Sequence, residues 1–343
     1  VVKKQKLSVL LMLILGISLI AAGCGSGPAD PGSSAASTDS SMKKSIEIRF
    51  GHVMPVDHPE HKAAQKFAEV LDQSSNGQIK VKIFPAAQLG GSRELMTSVM
   101  NGSIEMVATS TFGTVEQKLL VPEMPYMFKD FDHISKFVRS EPSAQLLSML
   151  NAHGVHGMGY WTVGFRNIGN TKHEVKKPED LKGLLIRAFE NEMLKDTLTA
   201  LGANVTVLPY PEVYMALQTG TINGEENPYV NTVVMKFYEG EKYKTETRHI
   251  NNFEIVGANL KWWSTLSKEH QDLITKAFTE STDYYMQLQK DADAESKKAL
   301  IDKGMIITEI QDYTPWEEAV KPVYDKWEPK LGADLVRSIK NLN

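Results

Sequence analysis

A single cysteine stands among 343 residues, and beyond the N-terminus there is no long basic run. One thiol cannot form a disulfide within the chain. A net charge of -4 with no basic stripe lacks the electrostatic footprint that DNA or RNA requires, so no nucleic acid is expected as a partner. Also missing are G-x-S-x-G, a P-loop, G-x-G-x-x-G after a strand and H-E-x-x-H, the marks of serine hydrolases, nucleotide sites and zinc proteases. No repeat recurs at a fixed period, and no low complexity follows Ser41. What is present is 42% hydrophobic and 23% charged, an ordinary globular composition on a chain long enough for two domains.

Lys3, Lys4 and Lys6 precede an apolar run over residues 7–22. That run is shorter than the ~20 residues of a membrane helix, and small residues follow it at once. The pattern predicts an export signal over residues 1–23, removed on secretion. The lone Cys24 falls at its border in "LIAAGCGSG", which resembles the lipobox of bacterial lipoproteins, with Ala21 where leucine is usual. The resemblance implies lipidation at Cys24; a free thiol is otherwise a liability in an oxidising compartment. "GSGPADPGSSAASTDSS" has almost no large apolar side chain to bury, so residues 24–44 are expected to be a flexible tether. A folded body is expected from residue 45 onward, periplasmic or on the outer face of the cytoplasmic membrane, and held there by lipid alone.

In that body "SIEIRFGHV" alternates Ile46, Ile48 and Phe50, the period of a strand, and the next segment repeats Ala64, Phe67, Ala68 and Leu71 at helical spacing until Gly77. "IKVKIFP" reads as a strand, "SRELMTSVMNG" as a helix closed by Gly102, and "IEMVATS" as a strand. Such alternation predicts βαβ units and a mostly parallel sheet. The pattern restarts after Gly154 with "HGMGYWTVGF", a turn at Pro178, "LLIRAF", a helix over residues 193–201 and "NVTVLP". Two α/β lobes are expected, the first over residues 45–163 plus about 253–292, the second over 164–252 plus about 293–343. Residues 266–303 contain neither proline nor glycine and are rich in Ala, Lys, Gln and Glu, which suggests one or two long helices able to brace both lobes.

Ligands of open α/β sheets bind beyond the carboxyl ends of the strands. That rule selects His52, Arg93, Thr109, Ser110 and Arg187. "TGTINGEENPYV" places Glu225 beside Glu226, but neighbours face opposite sides of a strand and sit about 100° apart on a helix. They cannot easily flank one bond as a glycosidase pair does, and solvation of a turn is the favoured reading. His52, Asp57, His58 and His61 are metal-ligand types, yet Asp57 or His58 ahead of Pro59 reads equally well as a helix start. No metal is expected. Arg166 in "VGFRNIGN" and Arg187 in "LLIRAF" have apolar neighbours, and a buried guanidinium needs a carboxylate from the protein or from a ligand. The residues alone favour an internal salt bridge for each.

The motifs P-E-D-L-K-G, I-R, L-G-A-N, E-V-Y-x-A-L-Q-T-G and E-N-P occur in order between Pro178 and Pro228, and "FPAAQLGGSRELMTSVMNGSIEM" precedes them. Together they resemble the solute-binding proteins of tripartite ATP-independent periplasmic (TRAP) transporters, over the whole body from Ser45. The resemblance implies a two-lobed, hinged periplasmic-binding-protein-like fold with a long helix across both lobes, and a protein that is not an enzyme and uses no cofactor. Such a protein closes on a small organic acid and delivers it to a membrane permease pair.

By the same resemblance Arg187 holds the ligand carboxylate bidentately, Arg166 lies nearby, Asn227 completes the polar cage and Tyr210 sets an aromatic ring against the ligand. His52, Arg93 and Thr109 stand where family members vary with their ligand. Trp161, with Trp262 and Trp263, offers stacking surface for a sugar-like acid or serves the core. Glu225 replaces a common glutamine, and Asn223 a frequent aspartate. The ligand is left open between a C4-dicarboxylate and a sugar acid such as a uronate or aldonate. The alternative is an exported metal- or carboxylate-dependent enzyme acting on a sugar acid through Glu225, Glu226 or the histidines near Pro59.

Overall fold

The computed structural model describes residues 45–342. The expected export signal, Cys24 and the whole of the tether lie outside the described residues. Within them the strands are β1 (Ile46–Gly51), β2 (Ile79–Phe84), β3 (Met106–Thr109), β4 (Val155–Phe165), β5 (Asn167–Asn170), β6 (Leu185–Ala188), β7 (Asn204–Val207), β8 (Gly224–Asn227), β9 (Tyr243–Thr245), β10 (Asn251–Asn259) and β11 (Ile306–Thr308). They form two sheets, in the orders β2-β1-β3-β10-β4 and β11-β9-β5-β8-β6-β7.

Local sequence explains the first of these. Ile48 and Phe50, two residues apart and so on one face of β1, are fully buried. The following helix, Pro59–Ser74, starts where the Glu60 amide donates to His58 Nδ1 at 3.1 Å, with Pro59 in a first turn that needs no donor from it. That helix buries Ala63, Ala64, Phe67 and Leu71, and the chain then turns at Gly77 with φ of 76°. β2 returns parallel to β1, from Ile46 opposite Ile79 to Gly51 opposite Phe84.

β3 also runs parallel to β1, but β10 enters antiparallel between β3 and β4. In the second sheet β6 is parallel to β7 and β8, while β5 is antiparallel to β8 and β9. Both sheets are therefore mixed, where the sequence pattern predicted mostly parallel ones. Periodicity identifies a strand and carries no information about a partner that arrives from a distant part of the chain.

The chain passes between the sheets through Arg166, from β4 to β5, and again through residues 246–250, from β9 to β10. The two crossings lie side by side, and the Arg166 amide donates to the Ile250 carbonyl at 2.9 Å. A third link is the helix Lys268–Asp302, whose 35 residues make it roughly 50 Å long. It packs on Pro59–Ser74 and β4 at the first sheet, and on the helix Tyr229–Val234 beside the second. This is the bracing helix expected from the sequence. The last helices, Lys321–Leu331 and Ala333–Lys340, are expected with the second lobe from chain order. They contact the helix Glu192–Ala200 of that lobe, and also the Gln117–Glu123 turn and the helix Glu141–Met149 beside the first sheet.

Candidate functional site

A cavity of about 190 Å³ lies between the two sheets. Arg187, Tyr210 and Asn227 line it from the second sheet and its loops, Arg93 and Ser110 from the first, and Arg166 from the crossing.

Arg187 is the third residue of β6, flanked by fully buried Ile186 and Ala188, and strand alternation turns it to the other face. It is 2% exposed. Its Nε and Nη2 both donate to the Leu208 carbonyl, at 2.9 and 2.7 Å. Among the described residues no carboxylate lies within ion-pair distance of it, whereas Arg166, Arg93 and Lys244 each have one. Burial pushes its pKa down to about 10 against the pull of Glu226, and the Arg166 charge pushes the same way. The guanidinium carbon lies 5.8 Å from the centre of the Tyr210 ring, within cation–π range.

Arg166 is different. Its Nη2 donates to Glu226 Oε1 at 2.7 Å, its Nε and Nη2 make further short contacts to Glu226, and its Nη1 donates to Asn252 Oδ1 at 3.3 Å. Burial works against the Glu226 anion, but Arg166 and His249 outweigh it and bring the carboxyl down to about 2. The internal salt bridge favoured from residue type is thus present for Arg166 and absent for Arg187.

Glu225 and Glu226 do not solvate a turn. Both are fully buried in β8, a central strand of the second sheet, facing opposite sides as the alternation requires. Lys244 Nζ donates to Glu225 Oε1 at 2.8 Å, and Asn227 Nδ2 donates to Glu225 Oε2. The Gly and Asn-Pro that flank the pair suggested a turn because a four-residue strand is too short to show its own period. Asn227 closes that strand and is 1% exposed at the cavity.

Three expected contacts stand back from the wall. His52 is fully buried, its Nε2 3.1 Å from His61 Nδ1, one residue short of Val53 and Met54, which do line the cavity. Thr109 is also fully buried, and its hydroxyl donates to the Ser92 carbonyl at 3.0 Å while Ser110 and Thr111 reach the cavity. Trp161 packs into the first lobe: its ring stacks on Phe278 with centroids 5.7 Å apart, and its Nε1 donates to Thr282 at 2.9 Å. Arg93 reaches the cavity and pairs with Glu190, Nε to Oε2 at 2.9 Å. Among the described residues no three His, Cys, Asp or Glu side chains converge as metal ligands.

Residues 50–330 match the family described as bacterial extracellular solute-binding protein, family 7. The chain belongs to that family. This family 7 protein is 33% identical over 307 residues to the C4-dicarboxylate-binding periplasmic protein DctP of Rhodobacter capsulatus, covering 87% of this chain and 91% of that one. Its fold is similar to the TRAP periplasmic solute binding protein from Polaromonas sp. JS666 bound to D-erythronate, with a TM-score of 0.84, 26% identity and coverage of 87% and 99%. It is equally similar to the sugar acid binding protein DctPAm from Advenella mimigardefordensis in complex with galactonate, with a TM-score of 0.84, 30% identity and coverage of 87% and 98%. The resemblance read from the motifs and the two-lobed α/β fold are both borne out.

Sequence reasoning missed Asn252 and Glu254 of β10, which line the cavity of the family 7 protein, and Asn231 behind Tyr210. A signal existed: Asn252 and Glu254 alternate with Phe253 and Ile255 at the period of a strand.

Proposed function

We propose that this protein is the extracytoplasmic solute-binding component of a TRAP transporter, which captures a small organic acid in the cavity and delivers it to a membrane permease. The observation that carries this reading is Arg187: a buried guanidinium on the cavity wall, with no carboxylate within ion-pair distance among the described residues. A ligand carboxylate supplies the missing anion and matches the guanidinium fork. Tyr210 covers one side of that position, and Asn227 adds a polar edge. The relatives named or bound with C4-dicarboxylates, erythronate and galactonate support the organic-acid class.

The site is read as a binder rather than a catalyst. The acid pair an enzyme would use is occupied, Glu226 with Arg166 and Glu225 with Lys244. We also propose, on the sequence alone, that Cys24 is acylated and tethers the body to the membrane. Labelling of the wild type by a palmitate analogue, lost in Cys24→Ala, is the expected result.

Calorimetry against succinate, galactonate and galacturonate tests the main reading. At least one acid is expected to bind, and Arg187→Ala to weaken it by about 100-fold or more, since each charge-assisted hydrogen bond contributes roughly 1.5–3 kcal/mol. Binding unchanged in Arg187→Ala, no binding of any organic acid, or turnover of a bound acid would overturn it.

A further inference from the structure

The cavity is unevenly charged, and the imbalance selects among organic acids. Arg166 is spent on Glu226 and Arg93 on Glu190, so among the described residues of the wall only Arg187 is a guanidinium without an acid. From the first sheet β10 contributes Glu254, 2% exposed, whose Oε2 has no hydrogen-bond partner. Glu60, on the helix Pro59–Ser74, is fully buried, and neither of its carboxyl oxygens has a hydrogen-bond partner. Burial raises the pKa of Glu60, and the nearby Glu254 raises it further. Among the described residues the only basic side chain within ion-pair distance of the Glu60 carboxyl is His52, whose Nδ1 lies 3.7 Å from Oε1, and burial brings that imidazole down to about 3, so it is neutral.

We infer, on the reading proposed above, that the ligand is a monocarboxylate bearing hydroxyl groups, held by its carboxylate at Arg187 and by a hydroxyl at Glu254, and that this wall rejects C4-dicarboxylates. A hydroxyl both donates and accepts, so it satisfies Glu254 in either protonation state. A second ligand carboxylate only accepts. It would be a buried anion beside two carboxyl groups: protonated Glu254 offers it one hydrogen bond, but among the described residues the wall has no second unpaired cation to offset its desolvation, and ionisation of either carboxyl adds like-charge repulsion. Burial, with Glu123 adding, raises Glu254 to about 8 against Arg166 and Ser110, so at neutral pH it carries a proton of its own to share with a hydroxyl. The cavity of about 190 Å³ is below the ~300–1,000 Å³ of sites for drug-sized ligands and suits a small acid. The relatives' names include both a C4-dicarboxylate and galactonate, and so do not choose between the classes. Glu254 does.

The test is a calorimetric panel of galactonate, galacturonate, succinate, fumarate and an α-amino acid, on the wild type, Arg187→Ala and Glu254→Gln. A hydroxylated monocarboxylate is expected to bind about 100-fold or more tighter than succinate, a floor well below the roughly 10,000-fold by which sites built to hydrogen-bond a hydroxyl reject analogues lacking it. Glu254→Gln keeps the shape and removes the acid, and is expected to narrow that ratio about tenfold or more. If the variant does not fold, the wild-type ratio decides alone. Succinate binding as tightly as the hydroxylated acids, or the α-amino acid binding more tightly than they do, overturns the inference while leaving carboxylate capture at Arg187 intact. Equal binding by Arg187→Ala overturns that capture, and the inference with it.

Discussion

Asn231 donates a hydrogen bond to the Tyr210 hydroxyl at 2.8 Å, directly behind the cavity wall. The other end of the same amide, Oδ1, lies 3.3 Å from Nε2 of His58, the residue that caps the helix Pro59–Ser74 of the opposite lobe. Burial brings His58 down to about 4, so it is neutral; its Nδ1 accepts from the Glu60 amide, which leaves the hydrogen on Nε2 to donate to Asn231. A ring on the cavity wall is thereby tied through one amide to the other lobe. Asn231→Leu removes both bonds at similar volume, and a lost hydrogen bond of this kind costs about 1 kcal/mol or more. Ligand affinity is expected to fall roughly 5–20-fold, mostly through faster dissociation. Stopped-flow release at the wild-type rate would show that the relay does not hold the lobes.

Arg166 and Arg187 predict opposite outcomes when their surroundings are cut. Glu226→Gln strands a buried guanidinium and is expected to cost the ligand-free protein about 3–5 kcal/mol. Arg187→Met removes a cation that has no acid, leaving only the Leu208 carbonyl to find a new donor, and is expected to cost no more than about 1–3 kcal/mol. Its stabilisation by ligand should vanish. Urea midpoints of the two ligand-free variants check this; equal losses would mean that Arg187 serves the fold as Arg166 does.

The sequence made the local features legible and left the distant ones hidden. β1, the helix Pro59–Ser74 and the helix Lys268–Asp302 follow from periodicity and breakers, because each signal is contained within its own segment. Arg187 stood out as a charge in an apolar strand. What decides its role is the identity of Arg166's partner, and Glu226 lies sixty positions away. Two arginines with the same local signature thus differ only through tertiary pairing. Glu254 was hidden for a related reason: β10 inserts antiparallel between strands far earlier in the chain, and only that placement puts it at the cavity.

Buried titrating groups give the ligand-free protein a pH optimum below neutrality. His52 and His58 have folded pKa values lowered from 6.5 to about 3 and 4. Their neutral forms are favoured in the fold, so their contribution is complete above 6.5 and is lost as pH falls from there toward 4. Glu123 and Glu254 are raised from 4.5 to about 7 and 8, both chiefly by burial. Their protonated forms are favoured, so their contribution is complete below 4.5 and is lost as pH rises from there toward 8. The opposed slopes place maximum stability between roughly pH 4.5 and 6.5. Thermal melts in a constant-ionic-strength buffer series check this, and a midpoint that climbs steadily from pH 5 to pH 8 would contradict it.

Arg93 and Glu190 meet across the mouth of the cavity, one on the helix Ser92–Asn101 of the first lobe, the other just past β6 of the second. Their side chains are 59% and 35% exposed, so the pair adds at most about 1 kcal/mol and is screened by salt. It acts as a weak latch between lobes rather than as a ligand clamp. Arg93→Ala and Glu190→Ala are each expected to weaken binding only a few-fold, and the double variant no more than either alone. That coupling should fade as salt is raised to about 0.5 M. The alternative, contained in the sequence expectation that Arg93 contacts the ligand, gives a different pattern. A guanidinium holding a ligand carboxylate would make Arg93→Ala costly and Glu190→Ala neutral or favourable, because removing Glu190 frees the arginine. The double-mutant cycle therefore separates a latch from a second carboxylate site.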